Sequence, residues 1–405
     1  MENAIRDWRG RVYLPAPVPA DRTRMFWLAW GAMATISPLQ YGYAALLAQQ
    51  GAGLTLLAVW IAGQAAGALP ALHLVRRGRL GVRHALAAGA ALSGLGLAAA
   101  GLTGPGLAAA GLTGSGLLAP AIAGPGLIAL VGYALLGGLG AGLVYGVCGE
   151  VVSSWYPERP AARVGLITGA FGYGAVPLLV WAGIAPGATP AAFLVAAVVA
   201  VTVIGTAARH LRLAPALWWP DDVDPRTHAL NAARLRITPD AAKQFKLPQA
   251  LRTRTLPALA LILTCAGAVS VFDVIVVAGT GSWAAVALLV ALNGTSRSVA
   301  MRCSELFGRR RVLAAVLGAL ALGQLLLAAA TLDAAPPATG PLADAGGAVQ
   351  AGVAAPSEGW AGGVLLWLGV IAASGGPRRP GRSGTFTARR YEQGEQKVNR
   401  KRTLG

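Results

Sequence analysis

The chain has 405 residues, of which 55% are apolar or aromatic and only 12% are charged, with 55 glycines besides. Its mean hydropathy is +0.58, and so few solvating groups cannot cover a soluble particle of this size; a disordered chain, a collagen and a soluble enzyme are excluded. Thirty-four basic residues stand against 16 acidic ones, a net charge of +18 that would suggest nucleic acid in a soluble protein, but their placement points to a membrane topology with no nucleic-acid partner.

Residues 1 to 24 are polar, hold Arg6, Arg9, Arg11, Arg22 and Arg24, and show no small-residue cleavage site behind a short apolar core. They read as a cytoplasmic tail, with the first apolar stretch retained in the mature protein. A helix needs about 20 apolar residues to cross a hydrocarbon core of about 30 Å, because lipid offers no partner to free backbone groups. Ten stretches qualify, at about 25 to 49, 53 to 74, 84 to 103, 126 to 148, 164 to 186, 189 to 208, 255 to 278, 282 to 301, 312 to 333 and 360 to 376.

The expected organisation is an all-α polytopic membrane protein in two helical bundles. Residues 25–208 form a six-helix N-terminal bundle and residues 209–254 a cytoplasmic central loop with nine basic residues and the acidic cluster Asp221, Asp222 and Asp224. Residues 255–376 form an incomplete second bundle of about four spans, and residues 377–405 a basic, disordered tail. Thirty-three of the 34 basic residues fall in alternate gaps and Arg297 in the inner part of the span at 282–301, while the intervening gaps, including the long ones at 104–125 and 334–359, carry none. With the N-terminus inside, this is the positive-inside pattern of a multi-pass cell-membrane protein. The nonapeptide GLAAAGLTG occurs at 96–104 and again at 106–114, a low-complexity loop extension with no chemical role.

Cys148, Cys265 and Cys303 lie far apart in apolar runs, and His73, His84, His210 and His228 show no ligand spacing, so neither a disulfide framework nor a metal site is expected. No span pairs a nucleophile with a base, which argues against an intramembrane enzyme. No GxxxxGK[ST] loop is present for ATP, and no cofactor is implied.

Two loops, each two spans into a bundle, resemble one another: RGRLGVR at Arg77–Arg83 and SELFGRRR at Ser304–Arg311. Both resemble the loop signature of the major facilitator superfamily, an acidic residue followed by a basic residue, glycine and further arginines. Glu305, Gly308, Arg309 and Arg310 match it. In the first copy Gly78 stands where the acidic residue is expected, leaving Arg79, Gly81 and Arg83. GGLGAGLVYG at Gly137–Gly146, WYPERPAARVGLITGAFGYGA at Trp155–Ala175 and NGTSR at Asn293–Arg297 are similar to spans four, five and eight of the oxalate/formate antiporter family and its monocarboxylate-transporter relatives. The resemblance implies loop carboxylates that pair with neighbouring helix ends as two bundles rock, and a span-eight arginine, here Arg297, that binds the substrate carboxylate. It also implies twelve spans. The change to a basic tail where the last two would stand is expected of a truncated or frame-shifted reading of a longer gene.

From the residues alone, Gly138, Gly142 and Gly146 recur every four positions, as do Gly165 and Gly169, marking helix faces that let a neighbouring backbone come close. Arg297 lies eight positions before Glu305, about 12 Å inward along a helix. An arginine there either faces a cavity or partner, where its planar fork suits a carboxylate, or snorkels to the headgroups. Asn293, one turn earlier, would orient the guanidinium or the ligand, and Gln40, Tyr41, Tyr145 and Tyr173, with Gln64, are candidate lining residues. Asp273, the one acidic residue well inside a span, is a candidate for coupling to protons or a partner for a cation.

The function expected is a secondary transporter that moves a small carboxylate (formate-, oxalate- or lactate-like) by alternating access, as exchange or proton symport, working as a single chain in the bilayer. The alternative is a non-transporting membrane protein, a sensor or a remnant of such a transporter.

Overall fold

The computed structural model describes residues 4–7, 10–42, 55–103, 128–234, 249, 252–253, 255–279 and 282–333. Eight of the helices among these residues are long and apolar enough to cross a membrane. The chain is a multi-pass, all-α membrane protein.

In chain order, β1 (Ile5–Arg6) and β2 (Val12–Ala16) precede α1 (Arg22–Thr35), which leads into a π-helical turn at Pro38–Gly42. Then come α2 (Thr55–Arg76), α3 (Val82–Thr103), a π-helical stretch Ile128–Gly137 continuous with α4 (Gly138–Trp155), α5 (Pro160–Tyr173), α6 (Val176–Ile184) and α7 (Thr189–His210). After β3 (Trp218–Pro220) and α8 (Pro225–Arg234) follow α9 (Thr255–Gly279), α10 (Trp283–Phe307) and α11 (Arg309–Asp333). Eight of the ten expected spans coincide with these helices, and the first, at 25 to 49, is described only as far as Gly42. The tenth at 360–376, the gaps at 104–125 and 334–359, the second nonapeptide copy and the tail after 376 lie outside the described residues.

Leu69, Leu102, Ile184, Val198, Leu261 and Leu325 all stand exposed on the outside of the spans. In water each would forgo about 1.5–3 kcal/mol of burial, so lipid is the solvent these faces are made for.

Packing direction agrees with alternate threading. Along α4, a Cβ added at Gly138 or Gly146 would lie 2.5 Å from the Trp60 carbonyl oxygen or 2.6 Å from that of Ala68, and Gly142 abuts the Gln64 carbonyl. The residue numbers rise together, so α2 and α4 run parallel, as spans two and four must. Gly165 meets Met301, Gly169 meets Ser298, Gly172 meets Gly294 and, on α6, Gly183 meets Trp283. Here the numbers run in opposite directions, and spans five and eight are antiparallel. The glycine faces read from the sequence are helix-packing faces; the second joins the two bundles.

Four local features depart from the sequence reading. Span one is not one continuous helix: α1 stops at Thr35 and is followed by the π-helical turn at Pro38–Gly42, where Pro38 has no N–H to extend the α-helical ladder. Span five is split at Gly174–Ala175, since Pro177 cannot donate to the Tyr173 carbonyl and Gly174 presses on the Ala34 carbonyl. Helix α10 runs past residue 301, so Glu305 is helical and not in a loop; only Gly308, at φ 88°, separates α10 from α11. Finally, the first half of the central loop is folded. β2 pairs antiparallel with β1 (Ile5 opposite Tyr13) and parallel with β3 (Leu14 opposite Trp218), which joins the N-terminal tail to the loop after α7.

Asp224 caps α8, accepting from the Thr227 hydroxyl and from the Arg226 and Thr227 amides. These bonds, the hydroxyl's first, hold its carboxyl below the ordinary value of 3.8. The capped form is therefore complete above the ordinary value and lost as pH falls through the lowered one. The protection factor of the Thr227 amide, its exchange rate compared with the intrinsic rate at the same pH, is expected to hold from neutral pH down to the ordinary carboxylate range and to fall only below about pH 4; a fall in protection beginning above about pH 5 would show that another group controls the cap.

Candidate functional site

Arg297, on α10, is only partly exposed. Its Nη2 donates to the Tyr41 hydroxyl at 2.8 Å, and its guanidinium carbon stands 5.8 Å from the centre of the Phe171 ring. Tyr41 is carried on the π-helical turn of span one and is fully buried. Its hydroxyl donates onward to Asn293 Oδ1 at 3.2 Å, and Asn293 Nδ2 donates to Ser270 Oγ at 2.8 Å. A hydrogen-bonded chain thus runs from span eight through span one, back to span eight and on to span seven, across the contact between the bundles. Asn293 meets Arg297 through Tyr41, not directly as the one-turn spacing suggested.

Phe171 is the aromatic floor of this group. Tyr41 and Tyr145 both meet it edge-on, at centroid distances of 5.7 and 6.2 Å. Tyr173 pairs with the Thr295 hydroxyl at 3.0 Å, on the same helix pair but outside the chain. Among the described residues, neither Gln40 nor Gln64 hydrogen-bonds to it; Gln40 is buried beside Tyr41, and Gln64 offers its backbone to Gly142. Arg297, Tyr41, Asn293 and Tyr145 therefore come together, while Gln40 and Tyr173 flank them.

Asp273 is buried on α9, where its Oδ1 accepts from Gln324 Nε2 of α11. It sits three residues after Ser270, on the same helix face. Sequence reading missed Phe171, Ser270, Thr295 and Gln324. Gln324 had a usable signal, a lone amide within an apolar span; the others take their meaning from neighbours distant in the chain.

At the junction of α10 and α11, Glu305 Oε1 accepts from the Ala162 amide at 3.0 Å. Ala162 is the third residue of α5, so a carboxylate from the second bundle caps the N-terminus of a helix in the first, where the helix dipole favours negative charge. In the first loop, which turns at Gly78 (φ 68°), Arg76 makes a two-bond fork with Glu150 of α4 (2.9 and 2.7 Å). The Arg76 side chain is 64% exposed, so this pair is worth about 1 kcal/mol at most. Arg79, Gly81 and Arg83 are exposed, as are Arg309 and Arg310 in the first turn of α11. Among the described residues no group of three or more His, Cys, Asp or Glu side chains is placed to hold a metal ion.

The Glu305 cap has a measurable consequence. Glu305→Gln keeps the shape and removes the charge, and is expected to weaken the contact between the bundles by about 1.5 kcal/mol, seen as roughly tenfold faster thiol labelling of nearby Cys303. An unchanged rate would deny Glu305 a part in that contact.

No protein-family model matches the chain, and no curated protein matches it. Similar solved structures include the xylose transporter XylE of E. coli in an inward-open conformation, at 16% identity over 88% of this chain and 80% of that one, with a TM-score of 0.46. A D-xylose–proton symporter gives the same values. The human organic anion transporter MFSD10 (TETRAN) is 17% identical over 89% of this chain and 92% of that one, with a TM-score of 0.27.

Proposed function

We propose that the chain is a secondary transporter of the major facilitator type that carries a small carboxylate across the cell membrane, its N-terminus in the cytoplasm. The observation that carries this reading is Arg297: a guanidinium held among apolar helices at the seam of two bundles, with a tyrosine hydroxyl from the opposite bundle as its partner. An arginine inside a membrane costs about 2.5–3.5 kcal/mol on insertion scales, and its fork of donors matches a carboxylate. Displacing the Tyr41 hydroxyl by a substrate oxygen would exchange a neutral partner for a charged one and release the first bundle from the second. Binding and rocking are thereby linked through one hydrogen bond.

Asp273 supports a proton-coupled form of the cycle. It is one turn from Ser270, the end of the chain that begins at Arg297, so a change of its charge would be felt at the site. Asp273→Asn is expected to keep exchange of labelled for unlabelled substrate while losing most of the stimulation by an inward proton gradient. Retained stimulation would remove Asp273 from the coupling.

The direct test is counterflow. Proteoliposomes loaded with unlabelled formate, oxalate or lactate are expected to accumulate the matching labelled anion transiently. A folded parent protein that accumulates none of them would move the reading to a membrane protein that does not transport carboxylates.

A further inference from the structure

The turn between α4 and α5 is held from both sides by charged side chains that belong to different parts of the chain. Trp155 ends α4, and its carbonyl accepts from Arg22 Nε at 2.8 Å. Arg22 Nη2 donates to Glu158 Oε1 at 2.6 Å, and its guanidinium stacks over the Tyr156 ring at 3.9 Å and faces Trp218 at 5.5 Å. Arg22 is thus a buried cation at the C-terminus of α4, satisfying a carbonyl that has no intrahelical partner. A few residues on, the Ala162 amide of α5 receives Glu305 from the second bundle.

The loop that joins the bundles fastens to the same place. The Trp155 indole donates to the Arg212 carbonyl at 2.7 Å, the Ala214 amide to Ser154 Oγ at 3.3 Å, and His228 Nε2 lies 3.0 Å from the Glu158 carbonyl. Arg212 in turn pairs with Asp21, the residue before Arg22.

We propose that Arg22 is a positioning residue for the cytoplasmic contact between the bundles: it fixes the 156–159 turn so that the first amides of α5 stand where Glu305 can cap them. This deepens the transporter reading and rests on it, since the contact matters only if the bundles part. Losing Arg22 would free the C-terminus of α4, let the turn drift and weaken the Glu305 cap without touching either of its partners.

The test uses native Cys303, which is partly buried on α10 two residues before Glu305. In a Cys148→Ala, Cys265→Ala background, the full-length protein in detergent is labelled with a charged maleimide in the absence of any substrate. Arg22→Gln is expected to raise the labelling rate on the order of tenfold, within the usual range of coupling between sites, with Arg22→Lys in between. Combining Arg22→Gln with Glu305→Gln is expected to add nothing to the effect of Glu305→Gln alone. A folded Arg22→Gln protein that labels at the parent rate, or a double variant whose effects multiply, would overturn the proposal. Should Arg22→Gln fail to fold, Glu158→Gln carries the same expectation, and a parental rate there would be equally decisive against it. Because labelling needs no transport, a parent that moves no carboxylate would leave this result standing, and a parent that does so would not rescue it.

Discussion

Arg297→Ala is expected to lower counterflow of the transported carboxylate at least a hundredfold while leaving a folded, monodisperse protein. Removing one partner of a desolvated, hydrogen-bonded charge pair costs about 2–5 kcal/mol, and 3 kcal/mol is already more than a hundredfold. Folding should be little affected because the group that Arg297 touches is neutral. Tyr41 keeps its bond to Asn293, and Phe171 keeps its contacts with Tyr41 and Tyr145. Arg297→Lys retains the charge without the planar fork and should recover only part of the rate. Parental counterflow in Arg297→Ala would assign the arginine to packing alone.

Gly142→Leu is expected to abolish a stable fold, whereas Gly149→Leu on the same helix is expected to be tolerated. At Gly142 a side chain would collide with the backbone of α2, at the Gln64 carbonyl and the Ala68 amide, and neither can rotate away. Helices α2 and α4 would have to separate along a seam where Gly138 and Gly146 are equally close to backbone. Overpacking usually costs about 1–3 kcal/mol, and a backbone collision that no rotamer relieves lies at or above the top of that range. At Gly149 nothing lies within 4 Å of the added carbon. Thermal unfolding followed by size-exclusion chromatography in detergent decides the matter, and equal behaviour of the two variants would contradict the packing described.

Helix content was legible in the sequence because a run of about 20 apolar residues has few other ways to satisfy its backbone in lipid. Arg297 stood out for the same reason, as a charge retained where charge is costly. Tyr41 could be named as a candidate, but its place between Arg297 and Asn293 depends on the π-helical turn at Pro38–Gly42 that carries it. Ser270 and Phe171 are ordinary residues in apolar helices; only the docking of α9 and α5 against α10 gives them a part in the site. The strand pairing of Leu14 with Trp218 was equally hidden, since a strand as short as the three residues of β3 carries no periodic signal and the partners are far apart in the chain. The carboxylate that meets the first loop is Glu150 on another helix, paired with Arg76, a partner that spacing along one loop cannot reveal.

The measurement closest to the central claim is equilibrium binding to the purified parent by calorimetry, comparing the anion that counterflow selects with its neutral amide, lactate beside lactamide for instance. A site built around the Arg297 guanidinium should bind the carboxylate at least tenfold more tightly than the amide, and Arg297→Gln should abolish that preference. Equal affinity for anion and amide, or a preference that survives Arg297→Gln, would contradict the account.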